Sequence, residues 1–214
     1  WFFFVMLLRP PSFTEGRSSA GSDVYKEQIE TDPINGSTHA EEGAMAADIS
    51  VDGTLSVVSS VEQGISVWNL TTNEPRFKWQ HQGDGNNLVT NLHISADSEY
   101  VVTSDREAFA LWSVVSGEPL GFWRIDESTI RDLAVSNGGR GILVGRSSGQ
   151  VMYFEPDSGR RIEFLGHSEK INSVDISPNG KFALTGSNDY VAYLWNTDNG
   201  QIVHTFTHPQ RITK

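Results

Sequence analysis

The feature that most limits what this chain can fold into is an internal repeat with a period near forty residues. Four strings share one pattern: Ala47-Asp48-Ile49-Ser50, Leu92-His93-Ile94-Ser95, Leu133-Ala134-Val135-Ser136 and Val174-Asp175-Ile176-Ser177. Their serines lie 45, 41 and 41 residues apart. A turn follows each one, at Asp52-Gly53, Asp97-Ser98, Gly138-Gly139 and Asn179-Gly180, and then a second apolar run such as Leu55–Val58 or Ile142–Val144. A third run ends on an aromatic in every copy (Trp68, Trp112, Phe154, Trp195), at 18, 17, 18 and 18 residues after the serine. Five residues further on stands a residue suited to positive φ: Asn73, Gly117, Gly159 and Gly200. A fourth run closes on Trp79, Trp123, Phe164 and Phe206. Repeats of this length are the signature of arrays, solenoids and propellers, in which each unit buries its faces against its neighbours.

The runs read as strands. Ile65/Val67, Phe109/Leu111, Val151/Tyr153 and Ala192/Leu194 alternate with their neighbours, the period of pleated backbone, and no 3.6-residue period is sustained anywhere. Each run is of ordinary strand length and is bounded by Gly, Asn, Asp or Ser. The expectation is an all-β chain of four-stranded antiparallel meanders, with first strands near 45–50, 89–95, 130–136 and 171–177.

The fourth copy carries further motifs: Leu165-Gly166-His167, Ser173-Val174-Asp175-Ile176-Ser177-Pro178-Asn179-Gly180, Thr185-Gly186-Ser187-Asn188-Asp189 and Leu194-Trp195-Asn196. Together these resemble a WD repeat, whose pattern runs Gly-His, Ser-Pro-Asp-Gly, Ser/Thr-Gly-Ser, a turn Asp and Trp-Asp. The first and second copies match less fully, at Trp68-Asn69 and Trp112-Ser113. The third has Phe154-Glu155 in place of Trp-Asp. The resemblance, to the WD40 β-propeller family in its bacterial type, implies radial blades around a channel. It divides the chain into an N-terminal tail or linker over 1–43, four blades over 44–206 (44–79, 88–123, 129–164, 170–206), and the opening of a fifth repeat over 207–214. Four blades make a partial ring, so the expected partners include further blades from a longer chain or from self-association.

Composition narrows the function classes. Acids outnumber bases 27 to 16, a formal charge of −11, which makes nucleic acid and anionic lipid poor partners. There is no cysteine, hence no disulfide, thiolate metal site or cysteine nucleophile. The six histidines (His39, His81, His93, His167, His204, His208) show no metal-ligand spacing, and no calcium loop occurs. Asn137-Gly138-Gly139-Arg140-Gly141 falls in a strand-to-strand turn with no helix behind it to present amides to phosphate. No metal or cofactor is expected. The apolar start Trp1–Leu8 is too short to span a membrane. It reads either as a clipped targeting segment, which would place the chain in the periplasm or cell envelope, or as gene-fragment sequence, which leaves the cytoplasm open.

The resemblance also assigns residues. It implies that His167, Thr185, Asp189 and Trp195 form a structural tetrad rather than a catalytic triad, with Asp accepting from His, His meeting the hydroxyl, and the hydroxyl reaching the indole. The second copy keeps His81, Thr103, Asp105 and Trp112, and the first only Ser59 and Trp68. In the third, Asp126, Val144 and Phe154 fill the slots. Family members bind partners on the face made by the turns between strands two and three and by the loops entering strand one. In this chain those columns hold Ser60-Val61-Glu62, Asp105-Arg106-Glu107, Arg146-Ser147-Ser148 and Ser187-Asn188, and Met45, Thr90, Arg131 and Asn172. Arg106, Arg131 and Arg146 are expected to form a basic patch on the second and third blades, with Asn172 and Asn188 as further contact residues. A non-catalytic scaffold that binds a protein or peptide is the leading expectation. The rival is a quinone-dependent enzyme propeller, against which the missing cysteines and calcium loop speak.

Overall fold

The computed structural model describes residues 31–32, 44–61, 63–81, 88–125 and 128–213. Trp1–Leu8 and Asp126 lie outside them. The described residues form seventeen strands: β1 (Thr31–Asp32), β2 (Ala44–Ile49), β3 (Leu55–Ser60), β4 (Gly64–Asn69), β5 (Glu74–Trp79), β6 (Asn91–Ile94), β7 (Tyr100–Ser104), β8 (Ala108–Ser113), β9 (Pro119–Arg124), β10 (Ile130–Val135), β11 (Ile142–Arg146), β12 (Val151–Phe154), β13 (Arg161–Phe164), β14 (Ile171–Ile176), β15 (Phe182–Ser187), β16 (Val191–Asn196) and β17 (Gln201–Thr207). One turn of 3₁₀ helix at Asn137–Gly139 is the only helical piece among the described residues. Four antiparallel meanders result: β2–β5, β6–β9, β10–β13 and β14–β17. β1 adds a short fifth strand to the first, pairing Thr31 with Trp79. The sequence pattern gave no sign of that strand, which belongs to no repeat.

The repeated serine is explained by one hydrogen bond made four times. Its hydroxyl accepts the amide five residues on, in Leu55 N→Ser50 Oγ (2.9 Å), Tyr100 N→Ser95 Oγ (3.0 Å), Gly141 N→Ser136 Oγ (3.0 Å) and Phe182 N→Ser177 Oγ (2.9 Å). The serine therefore holds shut the turn between the first and second strands, satisfying an amide that the ladder leaves over. The turn residues take the left-handed region at Gly53, Ser98, Gly138, Gly139 and Gly180. Asn73, Gly117, Gly159 and Gly200 do the same between the third and fourth strands, with φ from 56° to 77°. At Gly117 a Cβ would also meet Phe77 Cε1 at 2.3 Å, so this glycine is needed for space as well as for φ.

The blades follow one another about a common axis, their first strands adjacent in the order β2, β6, β10, β14. The core is made of three layers between blades rather than one centre. Trp79, Val67 and Ile65 of the first blade pack on Val101, Ala110 and Trp112 of the second. Phe109, Leu111 and Val102 meet Leu133, Ile142 and Phe154, and Leu143, Tyr153 and Phe164 meet Val174, Ala183 and Trp195. An aromatic ladder crosses these layers. The fourth-strand aromatic of each blade lies against the third-strand aromatic of the next: Trp79 on Trp112 at 4.9 Å, Trp123 on Phe154 at 5.0 Å and Phe164 on Trp195 at 5.1 Å between ring centroids. Phe206 stands at the same place in the fourth blade and is 42% exposed. The outward face of that blade exposes Phe182 and Leu184 as well, whereas Leu143, which matches Leu184 in the third blade, is fully buried against the fourth.

Side-chain carboxylates stitch the inner strands together. Asp48 Oδ2 accepts Ile94 N of the next blade at 2.8 Å, and Asp132 Oδ2 accepts Val174 N at 2.9 Å. Trp79 Nε1 donates across the same seam to the Gly117 carbonyl at 2.9 Å.

Candidate interaction site

The fourth blade brings the four tetrad residues into one hydrogen-bonded chain. Trp195 Nε1 donates to Thr185 Oγ1 at 2.8 Å, Thr185 Oγ1 lies 2.7 Å from His167 Nε2, and His167 Nδ1 lies 2.9 Å from Asp189 Oδ2. The Asp189 carboxylate can only accept, so Nδ1 carries the proton of the neutral imidazole, and Nε2 accepts the Thr185 hydroxyl while that oxygen accepts the indole N–H. Burial pushes the His167 imidazole below its ordinary value, against the raising pull of Asp189. Burial alone would raise the Asp189 carboxyl. Hydrogen bonds from His167, the Ser168 amide and the Val191 amide outweigh it and hold the group below the usual carboxylate range. The His167 side chain is 0% exposed. With its side chain out of solvent and both nitrogens engaged, the imidazole braces the turn at Asp189.

The other blades keep only parts of this chain. In the second, Trp112 Nε1 donates to Thr103 Oγ1 at 2.8 Å. His81 Nδ1 stands 3.7 Å from Asp105 Oδ2, too far for a hydrogen bond, and His81 Nε2 is buried with no hydrogen-bond partner among the described residues. Asp105 spends its other oxygen on the amides of Glu107 and Ala108. Burial pushes the His81 imidazole below its ordinary value despite Asp105. In the first blade Trp68 donates to Ser66 in its own strand, while Ser59 reaches the Val89 carbonyl of the next blade. In the third, Val144 and Phe154 pack in the core.

The loop-face residues sort differently. Arg106, in the turn between β7 and β8, and Arg131, at the start of β10, line one cavity of about 380 Å³ together with Thr90, Asn91, Thr129 and Ile130. Both arginines are exposed, and neither guanidinium has a partner among the described residues. Their backbones are fixed. The Arg106 carbonyl accepts Ile130 N at 2.7 Å. The Asn91 amide, turned so that its oxygen faces the Ser104 and Thr90 hydroxyls, donates to the Arg131 carbonyl at 3.1 Å. Arg146 is placed apart from this cavity. Its side chain is 11% exposed and lies 3.2 Å from Glu163 on β13. Asn172 and Asn188 hydrogen-bond to each other at 2.7 Å, and Asn172 also donates to the Ile212 carbonyl at 2.7 Å. Sequence reading named Thr90 through its column but missed Asn91 and Thr129, which flank the column positions. Among the described residues no group of three or more His, Asp or Glu side chains could hold a metal ion. No helix of the described residues is long and apolar enough to cross a membrane.

Four-stranded meanders in radial succession, pinned by an Asp–His–Thr–Trp chain, define a propeller-type repeat protein. Comparison with known proteins agrees. The WD domain, G-beta repeat model matches residues 159–196, the blade whose tetrad is complete. A WD repeat-containing protein of Schistosoma mansoni is 26% identical over 163 residues, 75% of this chain and 53% of the relative. The protein tipD of Dictyostelium discoideum is 31% identical over 122 residues, 56% of the chain and 20% of the relative. An uncharacterized WD repeat-containing protein of Synechocystis is 26% identical over 139 residues, 63% of the chain and 39% of the relative. The chain thus carries a WD40 repeat at residues 159–196 and is similar to WD-repeat proteins over a longer stretch. It spans about half or less of the length of these curated relatives.

Proposed function

We propose that this chain is a non-catalytic protein-interaction scaffold that binds a partner across the loop face of its second and third blades. The observation that carries the reading is the cavity between Arg106 and Arg131, two exposed cations without a partner among the described residues, on a chain of net charge −11. Nothing in the fold requires positive charge there, whereas Arg146 is spent on Glu163 and the tetrad histidine on Asp189. Arginine is over-represented at protein interfaces because its planar fork binds carboxylates in pairs of hydrogen bonds. WD-repeat proteins in general act as such scaffolds, which supports the class; the face and its residues are the specific proposal. Cross-linked capture from a cell extract tests it, with the chain compared against Arg106→Glu/Arg131→Glu. The captured protein is expected to be lost from the double variant. Equal capture by both proteins moves the interface elsewhere, and a metal ion or quinone copurifying stoichiometrically contradicts the non-catalytic reading.

A further inference from the structure

We infer that the cavity between the second and third blades is a seat for a single anionic side chain of a bound peptide, a carboxylate or a phosphate. The inference rests on the scaffold reading and adds the chemistry of what is recognised.

The lining has one character. Arg106 and Arg131 bring donors that are permanently charged, Thr90 and Thr129 have their hydroxyl protons engaged by Asn91 and Ser147, and buried Ile130 adds apolar lining. Asn91 is the brace. With Ser104, Thr90 and the Arg131 carbonyl all satisfied by its amide, it holds the first strand of the second blade against that of the third. The wall opposite is held by Ile130 N→Arg106 O at 2.7 Å. The two guanidinium groups are thus carried by a fixed frame and face a common space with no acid of the described residues paired to either. Asp105 and Asp132, the residues beside the two arginines in sequence, have other bonds: Asp105 accepts the amides of Glu107 and Ala108, and Asp132 accepts Val174 N.

The size admits a side-chain head group. At about 380 Å³ the cavity lies near the lower end of the range of about 300–1,000 Å³ for small-molecule sites. A head group that lowers itself between the two arginines would collect charge-assisted hydrogen bonds from both and shed part of its water against Ile130. Such pairs are worth little on an open surface and more where the site excludes solvent. The apolar lining and the concave wall supply that difference. On an acidic chain the same pair of charges selects acidic segments, because elsewhere the surface repels them.

Fluorescence anisotropy of two labelled peptides on the 214-residue chain tests the inference. One probe is hexaglutamate, and the other is an otherwise uncharged hexapeptide with one phosphoserine. Binding of at least one is expected, and whichever binds more tightly identifies the group the seat takes. Arg106→Gln/Arg131→Gln is expected to weaken that probe about tenfold or more, the loss of one to two charged contacts. The control Arg140→Gln/Arg211→Gln removes the same charge from exposed arginines outside the cavity and is expected to change affinity less than about twofold. The seat is overturned if neither probe binds, if the cavity variant binds as well as the unaltered chain, or if the control loses as much. Partner capture that survives Arg106→Gln/Arg131→Gln overturns the seat and leaves the scaffold reading standing. A chain that binds a probe through the two arginines yet captures no protein overturns the scaffold reading instead.

Discussion

At the scale of single residues, the stability of the fourth blade turns on a buried polar chain whose members have no alternative partners. Replacing Asp189 by Ala leaves the Nδ1 proton of a fully buried imidazole without an acceptor and also frees the amides of Ser168 and Val191. Denaturant unfolding of Asp189→Ala is expected to show a loss of about 1–3 kcal/mol. A loss below about 0.5 kcal/mol would contradict the chain of bonds. Two buried histidines also set a pH dependence. Burial depresses the imidazoles of His81 and His167 below their ordinary 6.5. The unfolded chain therefore binds more protons than the folded one below that value. Their contribution is fully present above about pH 6.5 and is lost as pH falls through the depressed values. Asp189, also depressed, contributes above its ordinary 3.8 and is lost on further acidification. The thermal midpoint is expected to be lower at pH 5.5 than at pH 7.5, and an unchanged midpoint would count against both histidines being buried neutral. The fourth tetrad was legible in the sequence because its Gly-His, Thr-Gly-Ser, Asp and Trp all fell in repeat slots. The failure of the second was not. His81, Thr103, Asp105 and Trp112 occupy the right slots, yet 3.7 Å separates His81 from Asp105, a difference of under an ångström that no spacing rule resolves.

At the scale of elements, turns carry the sequence signal most faithfully, and they also show where it is broken. Between the second and third strands, Gly64 and Gly149 sit at φ of 71° and 88°, and Tyr190 takes the corresponding place in the fourth blade at 69°. A Cβ at Gly149 would approach the Glu169 carbonyl to 2.7 Å, so Gly149→Ala is expected to destabilise. Tyr190 has the opposite problem. A large residue in the left-handed region costs roughly 1–2 kcal/mol, and this one is 45% exposed, with much of its ring in solvent. Tyr190→Gly is therefore expected to raise stability by up to about 1 kcal/mol in denaturant unfolding, and a clear loss would show that its ring is held by contacts the fold needs. The seams behave differently. Trp79 is fully buried, stacks on Trp112 and donates to the Gly117 carbonyl, so Trp79→Ala is expected to cost about 3–5 kcal/mol. Strand identity and turn position were readable because pleat and turn chemistry repeat in each copy. The seam contacts were not readable. Asp48 and Asp132 look like surface acids in the sequence, and only the neighbouring blade's amide at 2.8–2.9 Å gives them a role.

At the scale of the whole molecule, each blade is covered by the next, and the fourth blade's outer face shows what lies beneath when it is not. Phe182, Leu184 and Phe206 of its outer strands are each between 41% and 44% exposed, apolar surface of the kind that marks an interaction site or drives association. This 214-residue polypeptide is accordingly expected to associate as its concentration rises, and Phe182→Glu/Phe206→Glu to suppress that association in sedimentation velocity without lowering the thermal midpoint. A monodisperse polypeptide at high concentration would contradict this. We propose that further blades, from a longer chain or another copy, cover this face in the functional protein. That surface and the arginine cavity make separate claims. The first concerns how the ring is covered, and the second what it binds. The central claim is the second, that a partner docks on the loop face of the second and third blades. Hydrogen–deuterium exchange of the chain, alone and saturated with its captured partner, tests it most directly. Slowed exchange is predicted at residues 88–91, 105–107 and 128–132, around Arg106 and Arg131. Slowing confined to the outer strands β5, β9, β13 and β17, with the loop face unchanged, would contradict it.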